Sequence, residues 1–189
     1  MRCDPRRVWY HGDTSRRLTF EDQRFQNHDN PNAMGPGIYF TSSEEQARGY
    51  AWPEGWIYTA QMKPGSKCVT DRQRMTPREF RKFLSLLDRE GRTYLFSNWD
   101  ENPRIAQQKI ARAYTTAGDS DIDLVSAAAD LGRQGGLDFE RDGRTWAAAM
   151  VSLGYSAFLH RLPAVDHLVV WDPNALVLAR EQRVPRRRT

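Results

Sequence analysis

The chain has 189 residues, 39% hydrophobic and 28% charged, with a formal net charge of +4. That balance fits a folded protein rather than a disordered one, and the length fits one domain, expected over residues 1–179 with a basic tail over 180–189. No apolar run approaches the roughly 20 residues that cross a bilayer, and no apolar core follows the basic residues 1–7, so neither a membrane partner nor a secretory leader is expected.

Val8-Trp9-Tyr10 reads as a strand that ends in His11-Gly12-Asp13. Residues 27–32, Asn-His-Asp-Asn-Pro-Asn, are loop chemistry. Gly35-Pro36-Gly37 leads into a second strand, Ile38-Tyr39-Phe40-Thr41, and Ser42-Ser43-Glu44-Glu45 carries a capping pattern that opens a short helix ending at Tyr50. Trp52-Pro53-Glu54-Gly55 is a turn, and residues 56–62 form a third strand stopped by Lys63-Pro64-Gly65. The middle of the chain is helical. Thr76-Pro77-Arg78-Glu79 combines an N-cap, a proline at the first helical position and a glutamate at the third, with Gly91 as a stop. Asn102-Pro103 opens a second such helix, Ser120-Asp121 a third toward Gly132, and residues 144–153 form a fourth. Strands return at 155–160 and 167–173.

Cys3 and Cys68 are the only cysteines, and they form no metal-ligand cluster, so two reduced thiols in a reducing, cytoplasmic compartment are expected and no metal is. Asp119, Asp121 and Asp123 read as helix N-terminal charge, since the glycine and distal glutamate of a calcium loop are missing. Arg180, Arg183 and Arg186-Arg187-Arg188 give the C-terminus a basic character that is either a solvated tail or a contact for a polyanion.

In order, His11-Gly12-Asp13, Gly35-Pro36-Gly37-Ile38-Tyr39-Phe40 and a second tyrosine, Tyr50, eleven residues after Tyr39 resemble the ADP-ribosyltransferase superfamily. The likeness is to the branch of diphtheria toxin and the poly(ADP-ribose) polymerases, and to transferase domains of phage and mobile-element polyvalent proteins. Gly154-Tyr155 and Val169-Val170-Trp171-Asp172-Pro173 resemble the closing strand of the same family. The likeness covers residues 8–51 and 154–178. It implies an α+β fold with a split, mainly antiparallel β core and peripheral helices, and an enzyme that uses NAD as co-substrate.

The resemblance also implies roles. His11 would bond the adenosine-side ribose. Gly12 would offer its backbone to the nicotinamide carboxamide, and Gly37 would let the second strand approach the dinucleotide. Tyr39 and Tyr50 would stack on the nicotinamide ring. Asp13 replaces the usual threonine or serine; a carboxylate there accepts from a ribose hydroxyl and repels a 2′-phosphate, which favours NAD over NADP. Ala47 stands where some relatives carry a serine that bonds the carboxamide, so one polar contact is missing.

The third catalytic position of active relatives is a glutamate, and His167 falls there. Asp166 precedes it, but neighbouring strand residues face opposite sides, so both enter one cleft only through a bulge. A His-Tyr-His site of His11, Tyr39 and His167, a bulged Asp166, and a site without catalysis all remain open. Relatives without the glutamate often transfer a single ADP-ribose. The resemblance therefore implies mono-ADP-ribosylation of a protein or nucleic-acid acceptor, by a phage or bacterial effector that would act in a host cell. Three alternatives stand beside it: a binding or structural protein on the same fold, an RNA 2′-phosphotransferase, and a nucleic-acid binder driven by the basic tail. His160 and Arg161, at the end of a strand, are either acceptor-side residues or solvated ones.

Overall fold

In the computed structural model the described residues are 1–14, 37–70, 76–86, 101–115 and 148–185. The chain divides into two compact units, one of Met1–Arg24, Ile38–Thr70 and Tyr155–Thr189, the other of Phe25–Gly37 and Asp71–Gly154.

The first unit holds a seven-stranded sheet. Its strands are β1 (Trp9–Asp13), β2 (Ile38–Thr41), β3 (Trp56–Met62), β4 (Cys68–Thr70), β5 (Ala157–Arg161), β6 (Asp166–Val170) and β7 (Leu176–Arg183), in the spatial order β4-β5-β6-β2-β1-β3-β7. Among the described strands only the β4–β5 pairing is parallel. Helix α1 (Glu44–Tyr50) lies against β1, β2 and β3. The architecture is α+β with a mostly antiparallel sheet.

Side chains alternate between the two faces of a strand, and directly paired residues share a face. One face carries Trp9, Ile38, Phe40, Ala60, Leu168 and Val170, all buried in one core. The other face receives α1, whose Ala47 and Ala51 pack with Ile57 and Val184, with Tyr10 partly buried beside them. Helix α1 starts where the sequence places it: Ser43 is the N-cap and accepts from Gln46 N at 3.2 Å. Thr41 Oγ1 donates to Gln46 Oε1 at 2.5 Å, which ties the helix to the end of β2.

Three features depart from expectation. Cys3 and Cys68 are joined in a disulfide rather than left as thiols. The Cys3 and Cys68 Cα atoms are 5.3 Å apart, within the range a disulfide spans, beside an antiparallel bridge between Arg2 and Lys67. Strand β4 was not foreseen, and neither was β7. Arg180 and Arg183, assigned in sequence to the tail, belong to β7, where Thr59 pairs with Arg180 and Trp56 with Arg183. The residues beyond Pro185, including Arg186, Arg187 and Arg188, lie outside the described residues.

In the second unit, helices α2 (Pro77–Leu86) and α3 (Pro103–Thr115) pack on each other. The capping box at Thr76 forms reciprocally: Glu79 N donates to Thr76 Oγ1 at 3.2 Å, and Thr76 N donates to Glu79 Oε2 at 2.8 Å. Asn102 caps α3 by accepting from Arg104 N at 3.0 Å. Residues 148–152 are helical, and Lys82 Nζ donates to Ser152 O at 2.8 Å. The expected loop over 27–32, the stop at Gly91, the helix from Ser120, the aspartates 119, 121 and 123, and the start of the fourth helix at 144–147 lie outside the described residues. Among the described residues no helix is long and apolar enough to cross a membrane.

Candidate functional site

His11, Tyr39 and His167 stand on β1, β2 and β6, which are consecutive neighbours in the sheet. The seam between β1 and β2 is the unusual place. β1 pairs with β3 over five residues, and β2 with β6 over four, yet β1 and β2 share the single pair Tyr10↔Thr41. Beyond it the imidazole of His11 takes over from the backbone ladder. Its Nδ1 lies 2.6 Å from Tyr39 O. A carbonyl can only accept, so Nδ1 carries the proton and donates. In the neutral ring Nε2 is then the lone-pair nitrogen. Nε2 is buried and has no hydrogen-bond partner among the described residues. The Asp13 carboxylate is 4.0 Å away, beyond hydrogen-bond reach. The ring is tilted against Phe40 and Tyr58, with centroids 5.5 and 6.2 Å apart.

His11 and Asp13 therefore lie on the Phe40 face of the sheet, whereas Tyr39 and His167 lie on the other, one diagonal step apart across β2 and β6. The structure brings His11 and Tyr39 together through a backbone contact, not ring to ring. Gly37, just before β2, has φ +148°, a conformation that side-chain-bearing residues rarely adopt. At Gly12 the reason for glycine is close packing: a Cβ there would stand 1.8 Å from Ala47 O of α1. Ala47 is itself fully buried, which accounts for its small size. Tyr50 is 58% exposed on α1, so it is not a core residue. Trp52 beside it is 50% exposed.

At the third position β6 is regular. Its ladder is unbroken from Asp166 to Val170 against β5 and from His167 to Val170 against β2, so the bulge that would bring Asp166 and His167 to one face is not formed. The Asp166 backbone is tied to Ser42 in both directions, at 2.9 Å each, and its carboxylate is 2.5 Å from Arg7. Arg7 in turn lies over the ring of Trp9. His167 is held below the ordinary histidine range by burial first and by neighbouring His160 second, with Asp166 opposing both. It is the neutral imidazole at pH 7. The native state binds that proton more weakly than the unfolded chain does, so stability falls as pH drops through about 6.5, the ordinary histidine value. Denaturant midpoints at pH 7.5 and 5.5 check this: His167→Gln is expected to lose less stability on acidification than the wild type does.

A groove of about 490 Å³ opens elsewhere on the first unit, lined by Glu45, Arg48, Gly49, Trp52, Val184 and Pro185. None of the residues singled out in sequence as catalytic or dinucleotide-binding lines it. The signal that would have pointed there is Trp52, an exposed aromatic just beyond α1.

No protein-family model matches the chain, and no curated protein matches it. Among solved structures, the crystal structure of an anti-CRISPR protein aligns over 94% of this chain and 94% of its own, at 11% identity and a TM-score of 0.34. A likeness that slight says nothing about what this chain does.

Proposed function

We propose that the chain is an NAD-dependent mono-ADP-ribosyltransferase with the split antiparallel core of that superfamily. In this reading it cleaves the nicotinamide–ribose bond and passes ADP-ribose to a protein or nucleic-acid acceptor, as a phage or bacterial effector would in a host cell. The observation that supports it is the seam between β1 and β2, where His11 donates from Nδ1 to Tyr39 O and its buried Nε2 has no hydrogen-bond partner among the described residues. A ribose hydroxyl is the kind of donor that nitrogen lacks. In this reading the sugar of the dinucleotide supplies it.

The remaining roles follow from chemistry. The half-buried ring of Tyr39, on the face opposite His11, would offer a stacking face for nicotinamide reached across the seam, and the exposed ring of Tyr50 a second. Gly12 has its side-chain direction filled by α1, which leaves only its backbone groups for a carboxamide. Asp13 and the backbone near Gly37 complete the dinucleotide contacts. Nicotinamide leaves with the bonding electron pair, positive charge develops on the ribose, and the acceptor attacks and gives up its proton. A neutral His167 accepts from a ribose hydroxyl without opposing that charge, which a protonated one would do.

A second reading, an NAD-binding domain without catalysis, is favoured by the paired state of Asp166. Its carboxylate is taken by Arg7 on the opposite face, and position 167 itself, where the family glutamate would stand, is a histidine. Calorimetric titration with NAD, paired with an assay of nicotinamide release, separates the readings. Binding with release supports the transferase, and binding without release supports the second. His11→Ala is expected to weaken NAD binding about tenfold, as loss of one hydrogen bond of roughly 1.4 kcal/mol would. An affinity unchanged by His11→Ala would remove the seam from both readings.

A further inference from the structure

His160 and His167 are paired directly across β5 and β6. Both are half-buried, and they project from the same face, opposite to Asp166 and Arg161. His160 is steadied by stacking on Phe158, with centroids 6.0 Å apart and an interplanar angle of 26°. Thr41, the β2 residue opposite His167, is already committed to Gln46. No hydrogen bond or ion pair to either imidazole is formed among the described residues.

We propose that His160 and His167 together form a two-histidine site for a late first-row divalent cation, Zn²⁺, Cu²⁺ or Ni²⁺. Directly opposed residues of antiparallel strands have Cβ atoms about 5 Å apart. Two imidazoles on such a pair can close on one ion at the usual metal–nitrogen distance of about 2.0–2.1 Å. Rigid neighbouring strands fix that spacing before the ion arrives, which lowers the ordering cost of binding. Nitrogen ligands select these ions over Mg²⁺ and Ca²⁺, which prefer oxygen. No third histidine, cysteine, aspartate or glutamate joins the pair among the described residues, so water or a bound molecule fills the other positions. The fold thus offers an open site of moderate affinity, not a structural centre.

The same cation would occupy His167 and so inhibit nicotinamide release; that consequence rests on the transferase reading, whereas binding itself does not. The test is titration of the full chain with Ni²⁺ and with Zn²⁺, followed by calorimetry and by the histidine side-chain resonances in NMR. The chain has four histidines. The expected result is one equivalent bound, perturbing the rings of His160 and His167 together, with no response to Mg²⁺. His160→Ala and His167→Ala should each weaken binding at least tenfold, while His28→Ala leaves it unchanged. No binding at millimolar metal, or equal binding in the His160 variant, overturns the proposal. Should either variant fail to fold, the paired shifts in the wild type decide: resonances that move singly, or on the wrong histidines, also overturn it.

Discussion

Gly12→Ala is expected to destabilise the protein by on the order of 3 kcal/mol, and to leave it unfolded if its margin is small. The added Cβ would meet backbone, at 1.8 Å from Ala47 O and 2.8 Å from Ala47 C, so no side-chain rotation relieves it. Either α1 lifts off the sheet or β1 bends. Gly49→Ala is the matched control in the same helix. It has no atom within 4 Å of its added Cβ, and alanine is the better helix former, so it should be neutral or gain up to about 1 kcal/mol. Urea midpoints of the two variants check both. A Gly12→Ala protein as stable as the wild type would mean that α1 does not pack against β1 at Gly12.

Reduction of the disulfide is the second large effect. The bond links Cys3 to Cys68, 65 residues apart, and closes a loop that contains β1, β2, α1 and β3. A loop of that length restricts the unfolded chain by about 4 kcal/mol in the chain-entropy account. The midpoint of thermal unfolding should fall by on the order of 10 °C in dithiothreitol. Cys3→Ser and Cys68→Ser should each reproduce the drop and lose sensitivity to the reductant. A midpoint that dithiothreitol leaves unmoved would show that the two sulfurs are not joined.

Much of the first unit was legible in the sequence because its signals are local. The run from Trp56 to Met62 is bounded by a turn on one side and Pro64-Gly65 on the other, and it forms β3 over those residues. The caps at Ser43, Thr76 and Asn102 all form. Strand β7 was missed because it is an edge: most of its residues are exposed, so the polar half from Arg180 to Arg183 carries no apolar alternation. The disulfide was missed because sequence spacing says nothing about the bridge between Arg2 and Lys67 that closes it. At the candidate site, the alternation rule separated Asp166 from His167 correctly, and β6 has no bulge to undo it. The same rule applied to β1 and β2 would have placed His11 and Tyr39 on opposite faces, but their register depends on how those strands pair across the seam. Nor could composition have foreseen that His160 would face His167, since that follows from the β5–β6 register.

The measurement closest to the centre of the account is release of nicotinamide from NAD, by wild type and by Tyr39→Ala, first in buffer and then with bacterial lysate as a source of acceptors. The account predicts release by the wild type, a higher rate with lysate, and a loss of roughly a hundredfold or more in Tyr39→Ala, since stacking positions the leaving group. Absence of release in both conditions, or equal rates for the two proteins, would contradict it.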